Sequence, residues 1–86
     1  MRVQIPSPLH SYTKGRPQVE ATGTTLDALL ADLDSRYPGL RFRIVDEQDK
    51  IRTHILVFVN GQSIRSLSQR LKPDDDVMIV AALSGG

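Results

Sequence analysis

Only one segment of this 86-residue chain reads as a full amphipathic helix, and that scarcity limits the fold more than any other feature. In GTTLDALLADLDSRYPG, Leu26, Leu29, Leu30, Leu33 and Tyr37 recur at i, i+3, i+4, i+7 and i+11, one face of a helix. Thr24 stands where an N-cap is wanted, Asp27 suits the positive end of the helix dipole, and Pro38-Gly39 closes the element. Against this single helix stand two strand-like runs that are apolar on both parities. In one, Ile55, Val57 and Val59 alternate with Leu56 and Phe58; in the other, over 77–83, Val77, Ile79, Ala81 and Leu83 alternate with Met78, Val80 and Ala82. One helix covers one face of a sheet. The second face is therefore expected to expose an apolar patch, the kind that marks partner docking, unless residues 40–52 fold across it.

The remaining segments supply the rest of that sheet. Arg2-Val3-Gln4-Ile5 and Gln18-Val19-Glu20-Ala21 alternate with period two, and Lys14-Gly15-Arg16 has turn chemistry, so residues 2–21 read as a hairpin. Pro6, Pro8 and Pro17 limit how far its pairing extends. Leu40, Phe42, Ile44 and Val45 fit a short strand or a turn of helix equally well, and 46–52 is a charged loop. Asn60-Gly61 is a two-residue hairpin turn between 55–59 and a short strand near 62–65; Leu67–Leu71 reads as one brief turn and Pro73-Asp74-Asp75-Asp76 as a loop. The order predicts one α+β domain over 1–86, a mixed sheet of four to five strands with one main helix on one face. A right-handed crossover through the helix is the default if strands one and three share that sheet.

Composition narrows the function classes. With eleven Lys and Arg against ten Asp and Glu, the net charge of +1 gives no reason to expect nucleic acid or an anionic membrane as partner. No cysteine is present, which removes disulfides, thiolate zinc sites and a cysteine nucleophile. The longest apolar run is too short to cross a bilayer, and MRVQIPSP lacks a signal-peptide core. The expected compartment is the cytoplasm.

The strand–strand–helix–strand–strand order, Thr25-Leu26 opening the helix, Val59-Asn60-Gly61 at the hairpin, LKPDDDVMIV before the last strand and the ending ALSGG together resemble the ubiquitin-like β-grasp sulfur carriers of the MoaD and ThiS family. Asp75 stands where glycine is common in that family, a substitution a turn tolerates because aspartate can bond the nearby backbone. VQIPSPL, ATGTTLDALLADLDSRYPGL and ALSGG most resemble the CysO-type carriers of cysteine biosynthesis, and similar carriers serve siderophore and other secondary-metabolite pathways.

The resemblance implies a protein that is not an enzyme and binds no cofactor. An E1-like partner uses ATP to adenylate the Gly86 carboxylate, which becomes a thiocarboxylate and passes its sulfur to an acceptor such as a pyridoxal-phosphate cysteine synthase. In some members a metalloprotease first exposes the glycine pair. Gly85 and Ser84 belong to a flexible tail, 84–86, that threads the partner, and glycine suits a reacting carbonyl because no Cβ obstructs the nucleotide. Ordering such a tail costs roughly 1–2 kcal/mol per residue, so affinity must come from elsewhere. If Val77 and Ile79 face the helix, then Met78 and Val80, joined by Phe58, form the docking face; a one-residue slip would exchange the sets. Rival readings are the small subunit of molybdopterin synthase, a modifier forming isopeptide bonds through Gly86, and a plain β-grasp interaction module.

Other candidates carry less. His10 and His54 have no third ligand at metal spacing, so no metal site is expected. Asp74-Asp75-Asp76 lacks the spaced oxygens of a calcium loop, and Arg65 and Arg70 read as solvated charge in preference to contacts with an acidic partner surface near the sheet.

Overall fold

The hairpin at the start of the chain forms, but a helix occupies its connection. In the computed structural model, which describes residues 1–81, β1 (Arg2–Gln4) and β2 (Gln18–Glu20) pair antiparallel with Val3 opposite Val19. Pro6 offers no N–H to continue the ladder, and its ring leads instead into a 3₁₀ helix over Ser7–Thr13, where the sequence predicts a loop. Thr13 is fully buried, and its hydroxyl donates to the Arg16 carbonyl at 2.7 Å, tying the end of this helix to the entry of β2.

Helix α1 (Leu26–Arg36) buries Leu26, Leu29, Leu30 and Leu33, the face foreseen from their spacing. Its N-cap is Thr25 and not Thr24: the Thr25 hydroxyl oxygen accepts from the Ala28 N–H at 3.2 Å. Thr24 is committed elsewhere, its carbonyl accepting from Leu71 N–H at 2.9 Å. Residues 40–44 resolve as a second short helix, α2 (Leu40–Ile44), and Val45 bridges Ile51 across the turn between them. Leu40, Ile44, Val45 and Ile51 are buried in the same core as α1, so this segment thickens the helical layer and does not cross the second face of the sheet.

The sheet has five strands in the order β2-β1-β5-β3-β4, completed by β3 (Ile55–Val59), β4 (Gln62–Ile64) and β5 (Asp76–Ala81). It is mixed, as expected: β5 runs parallel to β1 and antiparallel to β3, so the parallel neighbour of β1 is the last strand and not the third. One main helix packs on it, accompanied by the two short ones.

Asn60 and Gly61 turn β3 into β4 with positive φ of 51° and 83°, the geometry of a type I′ hairpin. Asn60 does more than turn. Its amide donates to Asp75 Oδ1 at 2.9 Å and accepts from Asp76 N–H at 2.9 Å, while Asp75 Oδ2 accepts from Lys72 N–H at 2.8 Å. The bond from Lys72, then that from Asn60, holds the Asp75 carboxyl below its ordinary value. A depressed folded-state pKa contributes stability above the unfolded value of about 4, and this is lost as pH falls through the folded value. Asp75→Ala is therefore expected to melt below the wild type at neutral pH, with the gap closing in acid. Melting curves across that range check this, and a gap that persists unchanged in acid contradicts it.

Candidate functional site

Strand parity places the apolar residues of β3 and β5 on opposite faces. Val57 pairs with Ile79 and Val59 with Val77, all buried against the helices. The alternate residues form the second face: Phe58 stands opposite Met78, and Leu56 opposite Val80. Phe58, Leu56 and Val80 are half-buried, whereas Met78 is 39% exposed. Polar residues frame the patch, with Gln4 beside Met78 across β1 and Ser63 beside Phe58 across β4.

Phe58, Met78 and Val80, singled out in the sequence, are thus brought together on the face away from the helices, with no slip of register. Leu56 completes the patch as a fourth member. Its parity matches that of Phe58, so the signal was present in ILVFV.

Ser84, Gly85 and Gly86, the expected tail, lie outside the described residues, as do Ala82 and Leu83 of the anticipated last strand. The last described residue, Ala81, stands opposite Ile55 at the end of β5.

Several charged residues have structural duties the sequence did not reveal. Arg65 is not merely solvated: its guanidinium donates to the Ile51 carbonyl at 2.9 Å and the Ile55 carbonyl at 3.2 Å. His10 Nε2 donates to the Ile5 carbonyl at 2.8 Å, and His54 is exposed just before β3. Among the described residues no group of three or more acidic residues or histidines is arranged to hold a metal ion. Asp46 accepts from the Lys50 and Gln48 N–H groups, which together hold its carboxyl below the ordinary value. Phe42, on the outer side of α2, is 56% exposed beneath the Arg52 guanidinium at 4.7 Å; nothing in its spacing distinguished it from a core residue. No helix among the described residues is long and apolar enough to cross a membrane.

Comparison with known proteins gives this arrangement a family. A model of the ThiS family matches residues 3–86. The sulfur carrier protein CysO of Mycobacterium tuberculosis is 33% identical over 98% of this chain and 96% of its own length. Among solved structures, a chain of the Amycolatopsis orientalis BexX/CysO complex superposes with a TM-score of 0.91 at 35% identity, covering 99% of this chain and 98% of its own. Small archaeal modifier protein 1 of Methanosarcina acetivorans does so at 0.82 and 26% identity, covering 99% and 94%. The chain belongs to the ThiS family of β-grasp proteins, and its function is that of a sulfur carrier.

Proposed function

We propose that the sulfur is carried on the Gly86 carboxyl group and that the Leu56, Phe58, Met78 and Val80 face docks the enzymes that load and unload it. The observation that carries this reading is the position of that face. Met78 and Val80 lie on β5, the strand that continues in sequence to Gly86, so a partner gripping the patch also holds the root of the reacting end.

A free carboxylate resists acylation chemistry because it is anionic and would have to expel oxide. An E1-like enzyme joins it to the AMP part of ATP, releasing pyrophosphate. A sulfide-level nucleophile then takes the acyl group, and AMP departs with one of the original carboxylate oxygens. The catalytic groups belong to the partner; this protein is its substrate, acting in the cytoplasm, where ATP is supplied. The likeness to CysO carriers supports a pyridoxal-phosphate enzyme of the cysteine synthase type as acceptor. The likeness to the Methanosarcina modifier supports a second reading, transfer of the activated acyl group to a lysine.

Intact mass separates these. Incubated with ATP, an E1-like enzyme and a sulfide source, the chain is expected to gain the difference between sulfur and oxygen. Conjugates to other chains would favour the modifier, and an unchanged mass with an enzyme shown to be active would refute both. Met78→Glu places a charge in the proposed interface core, where an important contact is worth 2 kcal/mol or more, so KM for the carrier should rise about 30-fold. An unchanged KM would remove the face from the proposal.

A further inference from the structure

The net charge of +1 conceals a separation of charge along the strands. At the end where β5 begins stand Glu20, Asp74, Asp75 and Asp76, partly offset by Arg2 in register between Glu20 and Asp76, by the Met1 ammonium 3.7 Å from Glu20 and by Lys72 beside Asp75. At the end toward which β5 runs, the residues bracketing the strands are Arg16 before β2, Arg52 and His54 before β3, and Arg65 after β4. No carboxylate occurs among 5–7, 15–17, 52–54 or 65–67, the segments that flank those strand ends.

One of these cations is rooted by its backbone and another is held by its side chain. Arg16 donates its N–H to the Thr13 carbonyl at 3.0 Å and accepts the buried Thr13 hydroxyl, so its backbone is anchored to the core while its side chain is exposed. Arg65 is fixed by its two carbonyl bonds, one of them to Ile55, the residue opposite Ala81. The strand order sets β1 between β2 and β5 on one side, and β3 between β4 and β5 on the other. Arg16 and Arg65 therefore straddle the exit of β5, rooted about 10 Å to either side at ordinary strand spacing.

The ion pairs among the described residues join Met1 to Glu20, Arg36 to Asp32, and Arg41 to Asp27 and Asp49. Neither Arg16 nor Arg65 is among them. Arg52 differs, since it stacks on Phe42 and stands near enough to Asp46 to help lower that carboxyl.

We infer that Arg16 and Arg65 form a recognition rim for an acidic collar on the activating enzyme, around the opening that receives the end of this chain. The inference rests on the reading that Gly86 is the reacting end. Two cations at one pole and a partly offset carboxylate cluster at the other orient the carrier tail-first as it approaches an acidic opening. A long polyanion is a poor fit, because the acidic pole would repel whatever extended beyond the rim.

The test measures KM and kcat for ATP-dependent thiocarboxylate formation by the E1-like enzyme, at low and at physiological ionic strength. Arg16→Gln with Arg65→Gln should raise KM about tenfold at low salt, leave kcat in place and flatten the salt dependence. Arg16→Gln alone, whose anchoring bonds are all backbone, should give part of that effect with an unchanged melting curve. Arg65→Lys should retain most of the wild-type KM. The rim is overturned if folded variants keep the wild-type KM and salt slope, if Arg65→Lys behaves like Arg65→Gln, or if the protein binds heparin or RNA at physiological salt. A wild type that gains sulfur while the variants match it refutes the rim alone; a wild type that gains none refutes the role of Gly86 as well.

Discussion

Removal of Gly86 should abolish sulfur loading while leaving the melting curve unchanged. The two halves of this result have separate causes. The fold does not require the last residue, because the buried core of the described chain ends at Ile79. The proposed chemistry does require it, even though the shortened chain still ends in a glycine carboxylate. One extended residue spans about 3.3–3.6 Å, so the new carboxylate stops that far from the nucleotide when the docking face is seated. Reacting atoms must approach within about 3–3.5 Å in line, and a displacement of even 1 Å can cost about 100-fold. Intact mass after incubation with ATP, the activating enzyme and sulfide reads the first half, and a thermal melt the second. Loading of the shortened chain at a rate near that of the wild type would show that Gly86 is not the reacting residue.

The second large effect is on stability, and it falls on Gly23. A Cβ built there would press into the Leu29 backbone nitrogen and lie 2.8 Å from Leu29 Cα and 2.9 Å from the Ala28 carbonyl carbon. These are backbone atoms of α1, and a helix cannot yield locally as a flexible side chain can. Residues 22–24 run against the helix they introduce, held by Thr22 N–H donating to the Asp32 carboxylate at 2.9 Å, a bond that holds the Asp32 carboxyl below its ordinary value. Overpacking in a core commonly costs about 1–3 kcal/mol, and a backbone obstacle belongs at or above the upper end. For a domain of this size each kcal/mol shifts the melting point by about 4–8 °C, so Gly23→Ala is expected to melt about 12–24 °C lower. A native melting point in that variant would mean that the segment before α1 can move away at little cost.

How much of this was legible in the sequence follows from how local each determinant is. Ile55–Val59 was readable to the residue because the Asn60-Gly61 turn closes it, and the Leu26 to Leu33 face because helical spacing is a property of adjacent turns. The composition of the second face was readable in the same way: alternation in ILVFV and VMIVA, with too few helices to cover both sides. The cap of α1 was misplaced by one residue because two adjacent threonines compete. The outcome was decided by Leu71, forty-seven positions beyond Thr24, taking the Thr24 carbonyl. Residues 40–44 could not be assigned for a similar reason, since a five-residue apolar stretch has no period of its own, and burial against α1 made it a helix. Arg65 looked like any surface cation because its partners, Ile51 and Ile55, are backbone carbonyls, and these carry no sequence signature.

By itself the sequence determined the main helix, the alternation within the central strands and the family, since each depends on neighbours in the chain. Tertiary structure alone decided that β5 lies between β1 and β3, which of the two alternating sets faces away from the helices, that Gly23 has no room for a Cβ, and that Arg16 and Arg65 stand to either side of the end of β5. Those are relations between residues distant in sequence, and only packing of the apolar faces against one another, which minimises the area left in water, brings them together.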